Sequence, residues 1–396
     1  MTLQSVLRGI RIVEQGTFIT GPCAGMMLAD LGADVIKIES PDGDPYRSYQ
    51  SGLYSPHFQA YNRNKRSIVC DLKEPADREV FDQLIAHADV YVQNFRPGTA
   101  ARLGAGVTRL RAINSRLIYA SISGFGVDGP YAERPSYDSV AQALSGFLSV
   151  VVDPERPRFL GPALADAITG IYAAYGILGA LLERTHTGQG KLVEVSMFEA
   201  MAHFAVEPFA AFFALGVIPK STDRPRLAQA YILRTADHRL LAIHLSSLEK
   251  FWLGLITALS ADELNRDTRF SDRLARIDNY EALGEELDKR FRQRSLAEWT
   301  ERLSANDVPF APINGIDKVV NDPQARHLGL IVPVESVKEG GRHAVRPALQ
   351  FDGKRATSVS AAPLLNQHGD EIRAALARDK HWPSPSAAAG AQRVAG

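Results

Sequence analysis

The chain has 396 residues, with 45 basic and 45 acidic side chains, so its formal net charge at pH 7 is zero. A balanced charge argues against a nucleic-acid-binding or anionic-membrane-binding surface, so any anionic ligand must meet local clusters. At roughly 150 residues per domain, the length predicts two domains. Cys23 and Cys70 have neither metal-ligand nor disulfide spacing, which favours buried free thiols, a cytoplasmic setting and no metal site.

Strand and helix patterns alternate over the first part of the chain. Strands are predicted at 10–15, 34–39, 67–72, 89–94 and 117–123, with helices at 21–32 and 75–88. This alternation predicts βαβ units and a mostly parallel sheet, in which ligands bind at the carboxyl ends of the strands. The segments that follow the strands are therefore the candidate ligand-binding segments: 17–22, 40–47, 94–98, 124–137 and Lys73.

A run without charged residues, 167–182, repeats apolar residues at helical spacing and predicts a helix buried on several sides. The run is shorter than the ~20 residues that a membrane span needs. Asp166 lies at its front. On the local pattern alone, a helix N-cap is the favoured interpretation of this carboxylate, because caps are far commoner than nucleophiles.

The second half of the chain has a different pattern of predicted strands and helices. A strand at 191–197 leads into one long apolar helix, from 198 to about 215, followed by a proline-bearing linker at 219–225. A hairpin is predicted over 231–245, followed by three helices, at 248–259, 280–290 and 296–306. Together they indicate a smaller α+β domain. Strand-like pieces at 330–335 and 348–351 leave open whether the chain returns to the first domain.

Two motifs suggest anion binding. The segment Gly124-Phe-Gly-Val-Asp-Gly129 has the letters of a dinucleotide fingerprint, but Pro130 follows at once. No helix can begin there, so a covering loop is the better interpretation. Basic residues lie near strand ends in two groups, where they form either a solvated rim or a phosphate site beside Phe95. These groups are Arg63, Lys65, Arg66 and Lys73, and then Arg96 and Arg102.

Several short blocks, taken together and in order, resemble the class III CoA-transferases, the CaiB/BaiF family. The blocks are Gly21-Pro with 31–39, 62–68 with Asp71-Leu-Lys73, Asn94-Phe-Arg-Pro-Gly98, Gly124-Phe-Gly, 137–142, Asp166-Ala-Ile-Thr-Gly170 and Thr187-Gly-Gln-Gly190. The resemblance implies that Asp166 is a nucleophile acting on acyl-CoA and a small carboxylic acid, with no permanently bound cofactor. It also implies coenzyme A contacts at Cys70, Leu72, Lys73, Asn94, Phe95, Arg96, Arg102, Tyr137 and Asp138.

The fold implied by the resemblance is α/β, with a Rossmann-like large domain, a smaller α+β domain and two chains interlocked as a homodimer. We then expect the large domain over 1–220, the small domain over 226–320, a return to the large domain over 321–375 and a flexible tail over 376–396. Neither nucleic acid nor a membrane is expected as a partner.

Two departures from related enzymes narrow the expected activity. Formyl-CoA transferases resemble this chain but carry a glycine run where 226–231 stands, which argues against oxalate or formate specificity. The related α-methylacyl-CoA racemases carry a histidine where Ser136-Tyr137-Asp138 stands here, which favours transfer over racemisation. The alternatives are a racemase-like isomerase and a non-catalytic acyl-CoA-binding protein. Three arginines are candidates for a second substrate carboxylate: Arg47, Arg226 and Arg234.

The chemistry of Asp166 depends on its charge. An aspartate with a pKa near ~3.9 is ionised at neutral pH and needs no adjacent base. Burial raises that pKa and a helix N-terminus lowers it, and the sequence leaves the balance open. Backbone N–H groups of the glycine loops, at Gly21 or over 124–126, are candidate donors to a reacting oxyanion.

Overall fold

The structure is a computed structural model that describes residues 6–50, 52–159, 161–246, 248–335, 341–379 and 381–384. It divides into two compact units. The first comprises Met1–Phe147, Phe159–Val206 and Gln324–Gly396, and the second comprises Leu148–Arg158 and Glu207–Pro323. Residues 148–158 and 207–220, which the sequence analysis assigns to the large domain, therefore belong to the second unit.

The secondary structure of the described residues is as follows. The strands are β1 Arg11–Gln15, β2 Asp34–Glu39, β3 Lys65–Val69, β4 Val90–Gln93, β5 Ile118–Ser123, β6 Leu192–Ser196, β7 Ala230–Arg234, β8 Leu240–His244, β9 Phe310–Pro312, β10 Ile331–Glu335, β11 His343–Val345 and β12 Val359–Ser360. The α-helices are α1 Thr20–Asp30, α2 Pro56–Asn62, α3 Pro75–His87, α4 Thr99–Arg102, α5 Val107–Ile113, α6 Asp138–Leu144, α7 Leu164–Thr187, α8 Met197–Phe204, α9 Val206–Leu215, α10 Asp223–Ala228, α11 Leu248–Leu259, α12 Asp262–Arg266, α13 Arg273–Asp278, α14 Tyr280–Phe291, α15 Leu296–Ala305, α16 Ile316–Val319, α17 Pro323–His327 and α18 Gly369–Asp379.

The first unit is built on a six-stranded sheet with the order β3-β2-β1-β4-β5-β6, in which every neighbouring pair is parallel. The predicted α/β class and the mostly parallel sheet are therefore confirmed. Ile12 of β1 pairs with Val35 on one side and with Val90 on the other. Both faces of the sheet are covered, and its central strands β1 and β4 bury Ile12, Val13, Val90 and Val92.

Two hydrophobic clusters cover the two faces of this sheet. On one face, α1 and α7 pack Leu28 and Ile177 against Ile12 and neighbouring strand residues. On the other face, α3, α5 and α18 contribute Phe81 and Leu376, among others, to a second cluster. Burying apolar area in this way contributes about 25 cal/mol per Å² to folding. The two layers hold the strand ends, and therefore the loops after them, in fixed positions.

Helix α7 packs on the sheet and on α1 along one side. A Cβ at Gly170 would lie 2.7 Å from the Cβ of Cys23, so glycine permits the close approach of α1. At the far end of the helix, Arg184 donates hydrogen bonds to the Arg116 carbonyl oxygen at 3.0 Å and to Asp89 Oδ1 at 2.8 Å. By length and composition α7 is long and apolar enough to cross a membrane. The core helices of soluble proteins can have the same length and composition, and half of α7 is buried inside the protein.

The opposite side of α7 differs from the prediction. Ile171, Tyr175 and Leu182 are exposed by 49%, 73% and 65% in the single chain. The helix is therefore buried on the side that faces α1 and the sheet, and apolar but uncovered on the other. Nearly uniform hydrophobicity in the sequence does not distinguish these two sides.

The second unit contains the antiparallel sheet β7-β8-β9 and the helices α10 to α16. The predicted hairpin of β7 and β8 is confirmed by its antiparallel register, in which Tyr231 pairs with Ile243. A separate hydrophobic cluster holds this unit together. At its centre the rings of Phe291 and Trp299 stack with their centroids 4.5 Å apart.

Three details of the sequence interpretation are wrong. The single helix expected over 198–215 is two helices, α8 and α9. Pro208 lies in the first turn of α9 and has no N–H to donate to the Phe204 carbonyl, so it cannot continue an unbroken helix from α8. The third strand is Lys65–Val69 rather than 67–72, and the piece at 348–351 forms only an isolated bridge from Phe351 to Lys354.

The expected flexible tail begins too early in the sequence interpretation. Leu376 lies in α18 and belongs to a core cluster. Trp382 is 8% exposed, and its Nε1 donates a hydrogen bond to Asp34 Oδ2 at 2.7 Å. A buried indole with a hydrogen-bonded N–H is a strong anchor. The rest of the predicted tail, 385–396, lies outside the described residues.

Candidate active site

A cavity of about 640 Å³ opens at the carboxyl ends of β1, β4, β5 and β6. We call it the aspartate cavity, because Asp166 lies in its wall. The order of the strands reverses between β1 and β4, and such a switch point is where open α/β sheets bind ligands. Its lining is Thr17, Phe18, Ile19, Thr20, Tyr46, Tyr49, Asn94, Phe95, Arg96, Pro97, Ile122, Ser123, Gly124, Ala132, Arg134, Ser136, Tyr137, Asp138, Ala163, Asp166 and Met197.

Asp166 lies in the first turn of α7, but it is not the N-cap. The N-cap is Ala163, which makes no side-chain cap hydrogen bond. Asp138 takes this part instead: its Oδ1 accepts from the backbone N–H of Ala165 at 2.7 Å and from that of Asp166 at 3.3 Å. Among the described residues, none donates a hydrogen bond to the Asp166 carboxylate. The capping interpretation of Asp166 is therefore wrong, and its carboxylate is available for chemistry.

The pKa of Asp166 lies far above the ordinary value for an aspartate. Burial, and then the negative charge of Asp138, raise the pKa of Asp166 from 3.8 to about 7. Burial penalises the charged form, and here it outweighs the positive end of the helix. This carboxyl is therefore partly protonated near neutral pH, whereas its ordinary pKa of 3.8 would leave it ionised.

Asn94 organises the wall of the cavity that follows β1. Its Oδ1 accepts from the Thr17 N–H at 2.9 Å, and its Nδ2 donates to the Thr17 carbonyl and to Thr20 Oγ1, both at 2.8 Å. On the other side of this segment, Asp44 Oδ1 accepts from the Phe18 N–H at 3.1 Å. Phe18 has a φ of +58°, an uncommon conformation for a non-glycine residue, which these hydrogen bonds hold in place.

A buried ion cluster, formed by Glu14, Lys37, Asp44 and Lys65, lies beneath the same segment. Lys37 Nζ contacts Glu14 Oε1 at 2.9 Å and Asp44 Oδ2 at 3.0 Å, and it donates to the Gly16 carbonyl at 2.7 Å. Lys65 Nζ contacts Glu14 Oε2 at 2.5 Å. Sequence reasoning missed this cluster. Its signal is Glu14 inside the predicted strand 10–15 and Lys37 inside the predicted strand 34–39, since charged residues are rarely buried unless they are paired.

Most of the first basic group is not free to bind phosphate. Arg63 pairs with Asp30 and Arg66 with Asp34, both at 2.6 Å, while Lys65 belongs to the ion cluster. These pairs neutralise the cations within the unit, so the phosphate interpretation is wrong for them. Lys73 remains exposed at the end of β3.

Arg47 and the other two candidate arginines are not part of the aspartate cavity. The guanidinium of Arg47 is fully buried, bonds both oxygens of Glu39 at 2.6 and 2.7 Å and lies 3.7 Å from the Phe58 ring centroid. It is a structural ion pair. Arg226 and Arg234 belong to the second unit, whereas every residue that lines the cavity belongs to the first. The cations in the cavity wall are Arg96 and Arg134, and the sequence analysis missed Arg134.

A second cavity, of about 350 Å³, lies beside the first, and we call it the strand-end cavity. Cys70, Leu72 and Lys73 line it together with Phe95, which also lines the aspartate cavity. Burial raises the pKa of the Cys70 thiol to about 12, so this cysteine stays protonated and unreactive.

The predicted coenzyme A contacts therefore fall into three sets. One set surrounds the strand-end cavity and another lines the aspartate cavity, where Tyr137 is 62% exposed at the rim. Arg102 stands apart: it is exposed, donates to Thr99 Oγ1 at 2.7 Å and lines neither cavity. Its position gives no support to a role in the same site.

The glycine segment over 124–129 begins the covering loop predicted from the sequence. No helix follows before Asp138 in this described stretch, so the dinucleotide geometry is not formed. A Cβ at Gly124 would lie 2.3 Å from the Cβ of Ser136. Glycine is therefore required here because the loop folds back on itself at the cavity wall.

Comparison with known proteins places this site in a family. The sequence profile described as CoA-transferase family III matches residues 7–369. The chain is 34% identical over 374 residues to the acetyl-CoA:oxalate CoA-transferase of Acetobacter aceti, covering 90% of this chain and 96% of that protein. It is 30% identical over 379 residues to the succinyl-CoA:glutarate CoA-transferase of Homo sapiens, covering 92% and 85%. A solved structure of a CaiB/BaiF family protein from Brucella suis is similar with a TM-score of 0.84 and 35% identity, over 93% and 99% of the two chains.

Proposed function

The chain belongs to CoA-transferase family III and is an acyl-CoA:carboxylate CoA-transferase, and we propose that Asp166 is its nucleophile. The observation that carries this proposal is the position of the Asp166 carboxylate in a cavity wall, with no hydrogen-bond donor among the described residues. A partly buried carboxylate without a partner pays a desolvation cost, which a merely structural residue would avoid by pairing.

The proposed reaction transfers the CoA thiol between acids in balanced steps. The Asp166 carboxylate attacks the thioester carbonyl, the C–S bond breaks and the CoA thiolate leaves, which forms an acyl-aspartyl anhydride. The thiolate then attacks the aspartyl carbonyl, releases the donor acid as a carboxylate and leaves an aspartyl-CoA thioester. An acceptor carboxylate attacks this thioester, and the same two steps in reverse release the new acyl-CoA and restore Asp166.

We place coenzyme A across the two cavities. Lys73 at the rim of the strand-end cavity and Arg96 in the aspartate cavity supply positive charge for phosphates, and Phe95 offers an aromatic face shared by both cavities. The strand order 3-2-1-4-5-6 supports a Rossmann-like character for this unit. The thioester end of the ligand would then reach Asp166.

We propose dicarboxylic acids as the substrate class. The two CoA-transferase relatives compared above carry oxalate, succinate or glutarate in their names, and all three are dicarboxylic acids. Arg134 supplies a cation in the wall of the aspartate cavity, its guanidinium 4.5 Å from the Tyr131 ring centroid. An arginine held over an aromatic ring is well suited to bind the carboxylate that does not react.

We also propose that two copies of the chain form the homodimer implied by the family. The uncovered side of α7 presents Tyr175 and Leu182. In the second unit, α9 presents Phe213 and Leu215, exposed by 77% and 73%. Large exposed apolar residues on both units are typical of faces that a partner covers. Size-exclusion chromatography with light scattering tests this: a monomer at micromolar concentration would contradict it.

One experiment tests the nucleophile against the two alternative activities. The protein is incubated with succinyl-CoA and a panel of carboxylates, quenched, digested and analysed for new CoA esters and for a mass adduct on the peptide that contains Asp166. We expect both in the wild type and neither in Asp166→Ala, while Asp262→Asn, which removes an exposed carboxylate of the second unit, behaves as the wild type. Exchange of an α-hydrogen with solvent in a 2-methylacyl-CoA, without transfer, would indicate a racemase, and tight binding without an adduct would indicate a binding protein.

A further inference from the structure

The side chain of Asp138 closes the N-terminal end of α7 from outside that helix. It accepts hydrogen bonds from the N–H groups of Ala165 and Asp166, 27 and 28 residues further along the chain. The first N–H groups of a helix have no partner within the helix and need an external acceptor. Ala163, at the N-cap, has no side chain that can accept. Asp138 therefore supplies, from α6, the cap that the sequence of α7 lacks.

Asp138 is itself held in place. Gln142, one turn further along α6 and almost fully buried, donates from Nε2 to Asp138 Oδ2 at 2.7 Å. Both carboxylate oxygens of Asp138 thus accept hydrogen bonds from within the protein. A side chain engaged in this way has little capacity left to contact coenzyme A, which is the role that the family resemblance implies for it.

We propose that Asp138 is a positioning residue: it fixes the backbone from which Asp166 projects, and it holds a second negative charge beside that nucleophile. This inference rests on the proposed role of Asp166. The N–H of Asp166 is already engaged by Asp138, so the donors to a reacting oxyanion come from elsewhere in the cavity. Misplacing a nucleophile by about 1 Å costs on the order of a hundredfold in rate.

The charge of Asp138 has a separate effect from its hydrogen bonds. A like charge disfavours ionisation, so Asp138 adds to the burial that raises the pKa of Asp166. Burial raises the pKa values of three groups that interact with Asp166, so they stay neutral at neutral pH: Cys23, Tyr46 and Tyr61. Arg96 and Arg134 lie in the wall of the same cavity. Asp138 is thus the anion whose removal separates charge from position.

The test compares Asp138→Asn and Asp138→Ala with the control Asp262→Asn, which removes an exposed carboxylate of the second unit. The rate of adduct formation on Asp166 from succinyl-CoA is followed from pH 5.5 to 9, together with kcat and KM. Asparagine keeps an oxygen for the two N–H groups but removes the charge, so the acidic limb should move about 0.5–1 pH unit lower while KM stays within about twofold. Alanine removes both, so the adduct rate should also fall about 10–100-fold at every pH.

Each result decides the proposal. If both Asp138 variants keep the wild-type pH profile and adduct rate and change only KM for succinyl-CoA, Asp138 is a ligand contact and this inference is wrong. If the wild type itself forms no adduct on Asp166, the proposed nucleophile fails, and this inference fails with it. Should the alanine variant not fold, the near-isosteric asparagine variant still decides between a shifted and an unshifted limb.

Discussion

The ion cluster and the aspartate cavity, both in the first unit, place their ionisable groups in opposite electrostatic surroundings. In the ion cluster, the charges of Lys37 and Lys65 are met by those of Glu14 and Asp44 at contact distance. In the aspartate cavity, Asp166 has no cationic contact among the described residues, and its charged neighbour Asp138 repels it. Paired charges hold the backbone in a fixed position. A charge without a partner raises the free energy of the folded protein and also the reactivity of the group that carries it. Burial alone therefore does not identify a functional carboxylate, and our proposal for Asp166 rests on its lack of a hydrogen-bond donor among the described residues.

The pKa directions show the same contrast. Neighbouring lysines lower the pKa of Glu14 despite its complete burial, so it stays ionised. Burial and a like charge raise the pKa of Asp166 to about 7. Two carboxylates in one unit thus depart from their ordinary pKa in opposite directions, because one faces cations and the other does not.

The variant with the largest expected effect replaces Asp166, the carboxylate that has no cationic partner. We expect Asp166→Asn to lower kcat by on the order of a thousandfold or more, because the amide is not a nucleophile for the thioester. The measurement is formation of new CoA ester, followed by chromatography. A variant that retains a tenth of the wild-type rate would show that the reaction does not pass through this carboxylate.

The second variant removes one cation from the ion cluster. Lys37→Met leaves Glu14 and Asp44 without their shared cation, and breaking such a buried pair costs roughly 3–5 kcal/mol. The free energy of unfolding, measured with urea, should fall by this amount. The matched control is Lys250→Met: Lys250 pairs with Asp307 on the surface of the second unit, and exposed pairs contribute about 0–1 kcal/mol. Equal losses in the two variants would contradict the comparison.

The third variant tests whether the aspartate cavity recognises the distal carboxylate of the acyl group. Arg134→Ala should reduce kcat/KM for succinyl-CoA about 10–100-fold, since a hydrogen bond to a charged group contributes roughly 1.5–3 kcal/mol. A monocarboxylic acyl-CoA such as butyryl-CoA, of matched length, should lose little. The measurement is kcat/KM for both thioesters. Equal losses for both would remove Arg134 from recognition of the distal carboxylate.

The smallest expected effect is a gain in stability. The folded-state pKa of Asp166 lies above its unfolded value of 3.8, so the folded state binds the extra proton between pH 4 and 7, and stability falls as pH rises through this window. Asp166→Asn removes the cost of ionisation. We expect it to be more stable than wild type by about 1–3 kcal/mol at pH 8, with no gain at pH 4.

The measurement is unfolding by urea or heat at both pH values. Asp128→Asn, on an exposed loop, should leave the stability unchanged at both. An asparagine variant that is no more stable than wild type at pH 8 would show that Asp166 is compensated after all.

The sheet could be predicted from the sequence because each strand has a hydrophobic pattern within its own segment. The runs at 34–39 and 118–123 carry apolar residues on both faces, which is typical of strands buried in a parallel sheet. It also located Asp166, although only the resemblance to a family outweighed the capping interpretation. What it missed depends on long-range contacts. Asp138 meets Ala165 across 27 residues, and Trp382 reaches Asp34 across 348. No periodicity within one segment records such pairs.

The resemblance predicts which residues form the site but not what each of them does there. Asn94 and Asp138 are expected to contact the ligand, and their side-chain oxygens also accept hydrogen bonds from backbone N–H groups of the cavity wall. A short motif does not distinguish a residue that shapes a site from one that contacts the ligand. The hydrogen-bond partners of each side chain add this information, because every N–H that an oxygen already accepts leaves fewer lone pairs for a ligand.

Helix α7 is fastened at both ends, and this gives it a mechanical role. Arg184 ties its last turns to Asp89 and Arg116, while Asp138 holds its first turn beside Asp166. At 1.5 Å per residue, 24 residues make a rod of about 36 Å. A stiff rod passes an axial displacement at one end to the other with little loss. We therefore expect substitutions near Arg184 to shift the proposed nucleophile, Asp166, from the opposite end of α7.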